Sequence, residues 1–308
     1  MMSTYREPLR YVEEAVTSVL EQTYRDIELI VMIDDPANRE LIEYVERRAQ
    51  ADPRMVVSIN EKNLGLTESL NRAKRMARGG YIARMDADDI CEPDRIECQL
   101  DCLVRGGLDL VGCNVIDIDE DGRPLRSAPS HYPTRDRPIK DHLRINSAVP
   151  HPTWLAKRSV YERYDYVDFP ACEDYEFLTR LALDGRRLGN VEAPKLRYRI
   201  NRNGISSSRK VAQKTSFYYV RRNYRAGKES SLEAFEAFLR SREGQRKKEA
   251  LERYYKRSER LKEYRKDGRR ARALIGGMFV FAVDPEGRDV VMNMLREKAL
   301  VWRYRDRY

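Results

Sequence analysis

The run IELIVMI at residues 27–33 constrains the fold more than any other stretch of the chain. Apart from Glu28 it is apolar, so a strand formed here must be covered on both faces, as in a parallel sheet held between helix layers. It ends in Asp34-Asp35-Pro36, two acids at the carboxyl end of a strand. Segments of helical period flank it. In YVEEAVTSVLEQ at 11–22, Val12, Ala15, Val16, Val19 and Leu20 recur at intervals of three and four. A helix over 38–50 turns Leu41, Ile42 and Val45 inward, MVVSI at 55–59 is the next strand, and LTESLNRAKRMA brings Leu66, Leu70, Ala73 and Ala77 to one face. YIARM at 81–85 follows, its start punctuated by Gly79-Gly80. This alternation predicts an α/β fold, a Rossmann-like sheet with helices on both faces.

Downstream, LDLVGCNVIDID at 108–119 reads as a strand, and Asp121-Gly122 as a turn leading into a hairpin. Residues 136–200 mix short helices and strands, among them TWLAK, EDYEFLTRLAL and KLRYRI, so the sheet is expected to continue as a mixed one. From about 209 the composition shifts to Lys, Arg and Glu, with Leu251, Tyr254, Tyr255, Leu261 and Tyr264 at helical spacing. Two parts are therefore expected: an α/β domain over 1–208 and a basic helical extension over 209–308.

Composition excludes several function classes. No apolar run reaches the eighteen or more residues of a spanning helix; ALIGGMFVFAV at 273–283 is too short, and MMSTYREPLR carries no apolar signal segment. The five cysteines form no CxxC pair and fit a reducing cytosol, while the three histidines lack zinc-site spacing. The net charge of +9 invites a nucleic-acid reading, but no DNA- or RNA-binding motif accompanies it, and no nucleic-acid partner is expected.

The stretch IARMDADDICEPDR places Asp86, Asp88 and Asp89 directly after the strand at 81–85, and Pro93 suits the first turn of a helix. Acids in such a place often form a solvated turn or a helix cap. In open α/β sheets, however, ligands bind at the carboxyl ends of strands. Like charges this close need a compensating cation, and hard oxygen donors suit Mn²⁺ or Mg²⁺.

Read in order, MSTYREP, IDDP, NLGLTESLN, GGYIARMDADD, HPTW, CEDYEF and LRYRINRNGIS resemble the family-two glycosyltransferases of the GT-A fold, over about residues 2–208. That resemblance implies a metal-dependent enzyme that transfers a sugar, with inversion, from a nucleotide-diphosphate donor (a UDP-sugar before a GDP- or dTDP-sugar) to a glycan or lipid-linked acceptor. It implies nucleoside contacts from Ser3, Thr4, Tyr5 and Asp35, and nucleotide contacts from Asn63, Gly65 and Asn71, although Asn71 could equally cap a local turn. Asp86 and Asp88 match the DxD region, with Asp88 and Asp89 as metal ligands. Asp174 matches the catalytic base; Glu173 is its rival or an acceptor contact, and His151 lies on the acceptor side in a structural or positional role. Arg199 and Arg202 would meet the diphosphate. Asn201 stands where histidine is frequent in the family, which puts that loop's contact in doubt.

Family members carry several apolar residues ahead of the segment matched by STY, and Arg6 replaces their usual Asn. Because a short central strand leaves its neighbours' backbone groups unpaired, about five to ten further residues are expected upstream of Met1. The basic extension, with its tyrosines and GGMFVFAV at 276–283, suggests a peripheral contact with anionic lipid at the inner membrane surface, beside the alternative of a solvated helix. Two other readings remain at this point. A sugar nucleotidyltransferase would need a Gly-rich phosphate loop, which STYREPLRYVEEA does not supply; a non-catalytic basic binding module would have no use for Asp88, Asp89 and Asp174.

Overall fold

The computed structural model describes residues 1–200, 210–266 and 284–304. The first half alternates as its hydrophobic periods demand: β1 (Met2–Thr4), α1 (Leu9–Leu20), β2 (Leu29–Ile33), α2 (Arg39–Ala51), β3 (Met55–Ile59), α3 (Leu66–Met76), β4 (Tyr81–Ala83) and β5 (Met85–Asp86). Then come β6 (Ile90–Cys91), α4 (Arg95–Gly106), β7 (Leu110–Ile118), α5 (Asp136–Leu143), β8 (Leu155–Lys157), α6 (Arg158–Arg163), α7 (Glu173–Leu183) and β9 (Leu188–Arg199). The remaining helices are α8 (Lys210–Arg225), α9 (Leu232–Arg240), α10 (Arg242–Lys266) and α11 (Pro285–Arg303).

Two sheets result. A parallel one has the order β3-β2-β1-β5, and a mixed one the order β4-β8-β7-β9-β6. The apolar run of β2 is buried along its whole length, as a doubly covered strand requires. Alternate residues divide between its faces: Leu29, Val31 and Ile33 pack with Val12 and Val16 of α1 and Leu41 and Val45 of α2, whereas Ile30 and Met32 meet Leu70 and Ala73 of α3. Burial of each such side chain stabilises the fold by about 1.5–3 kcal/mol.

β1 pairs on one side with Val31–Ile33 and on the other with Met85 and Asp86. Beyond it, at the amino ends of the strands, Met1, Leu29, Ile30 and residues 77–85 line a cavity of about 420 Å³. Asp121-Gly122 makes the expected tight turn, with Gly122 at φ +81°, but only the isolated bridge Ile118–Pro124 follows it in place of a hairpin. The change of composition near residue 209 does not divide the core, because Tyr219, Val220 and Tyr224 of α8 and Phe235 and Phe238 of α9 share one apolar cluster with Trp154, Tyr161 and Phe177. GGMFVFAV lies outside the described residues, and no described helix is long and apolar enough to cross a membrane.

Candidate active site

Strand order locates the site. From β1 the chain moves outward to β2 and β3, then returns to lay β5 on the other side of β1, so the direction of winding reverses between β1 and β5. In such sheets the crevice outside the carboxyl ends of those two strands binds ligand. Tyr5, Asp34, Asp35 and Asp86–Asp89 all emerge at this edge.

The ligand atoms of Asp86, Asp88 and Asp89 lie within 4.8 Å of one another. Burial, reinforced by Asp86 and Glu7, pushes the Asp88 carboxyl up to about 7. Burial together with Asp86 and Asp88 drives Asp89 well above the usual carboxylate range. Asp89 Oδ1 accepts the Arg199 N–H at 2.8 Å, while its buried Oδ2 has no hydrogen-bond partner among the described residues. A buried oxygen without a donor, beside two more carboxylates, is the environment a hard divalent cation satisfies. The residues present therefore fit such an ion.

Glu173 and Asp174 open the first turn of α7, where the helix N-terminus favours negative charge. Burial and Asp174 raise Glu173 to about 7; burial also raises Asp174, although its Oδ1 accepts the Tyr175 N–H at 2.6 Å. Both acids feel Arg84 and Asp86, which places the two carboxylate groups in one electrostatic field. His151 is buried against Trp154, at 4.5 Å between ring centroids, and its Nε2 lies 3.0 Å from the Tyr166 hydroxyl. Burial and the nearby Arg84 hold its pKa well below the ordinary value, so this neutral ring positions Tyr166.

The remaining expected residues divide in two. Ser3 and Tyr5 flank Thr4, whose buried hydroxyl donates to Glu7 at 2.7 Å, as does the Tyr5 N–H. Asp35 pairs with Arg6 at 3.2 Å. The loop holding Asn63 and Gly65 is fastened by Asp34, which accepts from the Leu64 and Gly65 N–H groups and from Asn60 Nδ2. Gly65, at φ +83°, adopts a backbone conformation that side-chain-bearing residues avoid. Asn63 is exposed, while the buried amide of Asn71 exchanges two 2.9 Å hydrogen bonds with the backbone of Tyr166 and so clamps the loop beside His151.

Arg199 requires a correction. Expected on the diphosphate, it is buried, and each nitrogen of its guanidinium is engaged: Nε donates to Asp88 O at 2.8 Å, Nη1 to Asp119 O and Glu120 O at 3.0 Å, and Nη2 to Glu14 at 2.6 Å. It braces the acid loop from behind. Arg202 and Asn201 lie outside the described residues.

Sequence reasoning passed over Arg84, which stands between β4 and β5 where the chain leaves one sheet for the other. It is 2% exposed, its Nη2 is 2.5 Å from Asp86, and its Nε and Nη1 have no partner among the described residues. Burial opposes its charge, but Asp86 and the other neighbours outweigh that and hold its pKa above the ordinary arginine value. The available signal was an arginine inside an otherwise apolar strand, just ahead of three acids. Arg84→Met should destabilise the protein by about 3 kcal/mol, since it leaves a partly buried carboxylate unpaired, and Arg84→Lys should recover part of the loss. Chemical denaturation of the three proteins measures this; equal midpoints would show that the pair holds nothing together.

Residues 1–165 match the family described as glycosyl transferase family 2. The chain belongs to that family. An uncharacterized glycosyltransferase of Methanocaldococcus jannaschii is 33% identical over 223 residues, covering 71% of this chain and 76% of the relative. The O-antigen biosynthesis glycosyltransferase WbnJ of Escherichia coli is 28% identical, covering 69% of this chain and 83% of its own. Among solved structures, the Pyrobaculum calidifontis mannosyltransferase PcManGT in complex with GDP-Man and Mn²⁺ superposes with a TM-score of 0.58 at 16% identity, over 98% of this chain and 86% of the other. The fold is thus GT-A, and the chain is a glycosyltransferase with relatives in polysaccharide biosynthesis. Membership sets aside the nucleotidyltransferase and the non-catalytic binding module.

Proposed function

We propose that this transferase moves a sugar from a UDP-sugar to a hydroxyl of a glycan or lipid-linked saccharide, with inversion and with a divalent cation, Mn²⁺ or Mg²⁺, held by Asp88 and Asp89. The observation that carries this reading is the acid cluster at the strand edge, where the ligand atoms of Asp86, Asp88 and Asp89 lie within 4.8 Å of one another and the buried Asp89 Oδ2 has no partner among the described residues; Glu173 and Asp174 at the start of α7 form a second acid group. The first suits a departing diphosphate, the second an acceptor hydroxyl.

Asp174 takes the acceptor proton as the hydroxyl oxygen bonds to the anomeric carbon, and the bond to the diphosphate oxygen breaks on the opposite face. A carboxylate whose pKa is raised is a stronger base than a free aspartate, so burial of Asp174 serves this step. When bound, the cation supplies Lewis-acid neutralisation of the leaving nucleoside diphosphate. Ser3, Tyr5 and Asp35 border the crevice as nucleoside contacts, and Thr4, through Glu7, fixes the bend between them. Asn63 and Gly65 form the neighbouring nucleotide loop, whose shape Asp34 sets. Glu173 orients the acceptor. A protein working at the cytoplasmic face of the membrane, in peripheral contact through its basic helices, would meet such an acceptor where lipid-linked saccharides are built.

Calorimetry with UDP, GDP and dTDP, each with and without Mn²⁺, tests the donor. UDP is expected to bind with cation dependence and more tightly than the other two. Preference for another base would overturn the UDP assignment, and binding indifferent to Mn²⁺ would overturn the cation.

A further inference from the structure

The last described helix sorts its charges by direction. All three acids of α11 turn toward the body of the protein: Glu286 accepts from Lys247 Nζ at 2.7 Å, Asp289 pairs with Arg221 at 2.8 Å, and Glu297 lies 3.1 Å from His142 Nε2. Its four bases, Arg288, Arg296, Lys298 and Arg303, are exposed, and no ion pair to an acid forms at any of them among the described residues.

The outward side is also apolar. At about 100° per residue, Trp302, Leu295 and Met292 fall within roughly 80° of one another on the side away from the acids, whereas Val290 and Met294 line a groove against α8 and α10 beside those acids. All three outward residues are exposed, Trp302 to 75%, Leu295 to 54% and Met292 to 47%. Lys298 falls beside Trp302, Arg288 between Leu295 and Met292, and Arg303 beside Met292. A contiguous apolar surface of this kind, rimmed by cations, marks a contact site.

We propose that this face of α11 lies in the interfacial layer of an anionic phospholipid membrane, with Met292, Leu295 and Trp302 among the acyl chains and Arg288, Lys298 and Arg303 at the phosphates. Segregation of charge decides for this occupant. A second copy meeting the same face across a two-fold axis would bring one cationic rim against another, and like charges repel. An anionic surface instead compensates Arg288, Lys298 and Arg303 while covering the apolar row. The proposal deepens the membrane contact suggested above by assigning it to one surface, and it rests on that part of the functional reading only.

The protein carries its own reporter, since its other tryptophan, Trp154, is fully buried. Full-length protein is floated with vesicles of phosphatidylcholine alone or with one-quarter phosphatidylglycerol, and its fluorescence is followed as dibrominated lipid is added, with Trp302→Phe as the blank. Anionic vesicles are expected to raise the bound fraction at least about tenfold, with loss at high salt and quenching confined to Trp302. Leu295→Glu with Trp302→Glu should abolish binding while leaving nucleotide affinity intact. Arg288→Gln with Lys298→Gln should weaken it and flatten its salt dependence. Monomeric protein that ignores anionic vesicles would overturn the proposal, as would a dimer in light scattering that the glutamate variant dissolves. Neither donor nor acceptor is present in this assay, so its failure would leave the transfer reading standing, and failure of nucleotide binding would leave the membrane face standing.

Discussion

Asp174→Asn is expected to lower kcat by roughly 10²–10⁴-fold. The amide matches the carboxylate in shape and can still accept the Tyr175 N–H, so the start of α7 keeps its geometry. It cannot take a proton. Donor affinity should therefore change by less than about twofold, the pattern of a residue that acts in the transition state. Glu173→Gln is the discriminating partner: an orienting residue raises KM for the acceptor more than it lowers kcat. If Asp174→Asn retained more than about a tenth of the parent kcat while Glu173→Gln abolished it, the two roles would have to be exchanged. The pH profile provides a second check. The base acts when ionised, so kcat/KM rises with pH through its pKa, and because burial raises that pKa the acid limb lies above that of an ordinary aspartate.

Replacing both Asp88 and Asp89 by Ala is expected to remove cation-dependent nucleotide binding, with a loss of at least about 100-fold in affinity for the nucleoside diphosphate in Mn²⁺. A second variant, Asp88→Asn with Asp89→Asn, retains an oxygen for the Arg199 N–H and separates loss of the cation from damage to the loop. Nucleotide binding that survives both pairs would place the cation elsewhere. The same residues set a pH dependence of stability. The Asp88 carboxyl, at about 7 in the folded chain, binds its proton more tightly there than in the unfolded chain, so its contribution is present below the unfolded value and is lost as pH rises through 7. Cation-free protein should thus melt at a lower temperature at pH 8 than at pH 5. Mn²⁺ should restore part of the loss at pH 8, and the double alanine variant should show a smaller difference, because Glu173, also raised to about 7, still contributes. Melting curves in chelator at the two pH values measure it.

Most of the fold was legible because its signals are local. The apolar run of β2, the periods of α1 to α3 and the Gly-Gly break before β4 each depend on residues close in sequence. The strand bearing the acids was visible as one segment; that it divides at Arg84 between two sheets was not, because sheet membership is decided by partners such as Leu155 and Met2 far along the chain. The acid cluster stood out from residue type and position, whereas Asp174 was singled out only by the family resemblance. The duties of Asn71 and Arg199 could not be assigned in the same way. An exposed arginine and a buried one have the same letter, and only the arrival of Glu14, Asp88, Asp119 and Glu120 around Arg199 turns a candidate phosphate ligand into a brace.

Arg84 has a practical consequence for recombining this enzyme with its relatives. A chimaera meant to exchange the donor half would tempt a crossover near the acids, since the sequence looks modular there. A junction between Ala83 and Asp86 would pair the arginine of one parent with the carboxylates of another inside a closed interior. One placed in the exposed turn at Asp121-Gly122 would transplant the strand, its cation and all three acids together, and hybrid proteins cut there should express as folded material more often.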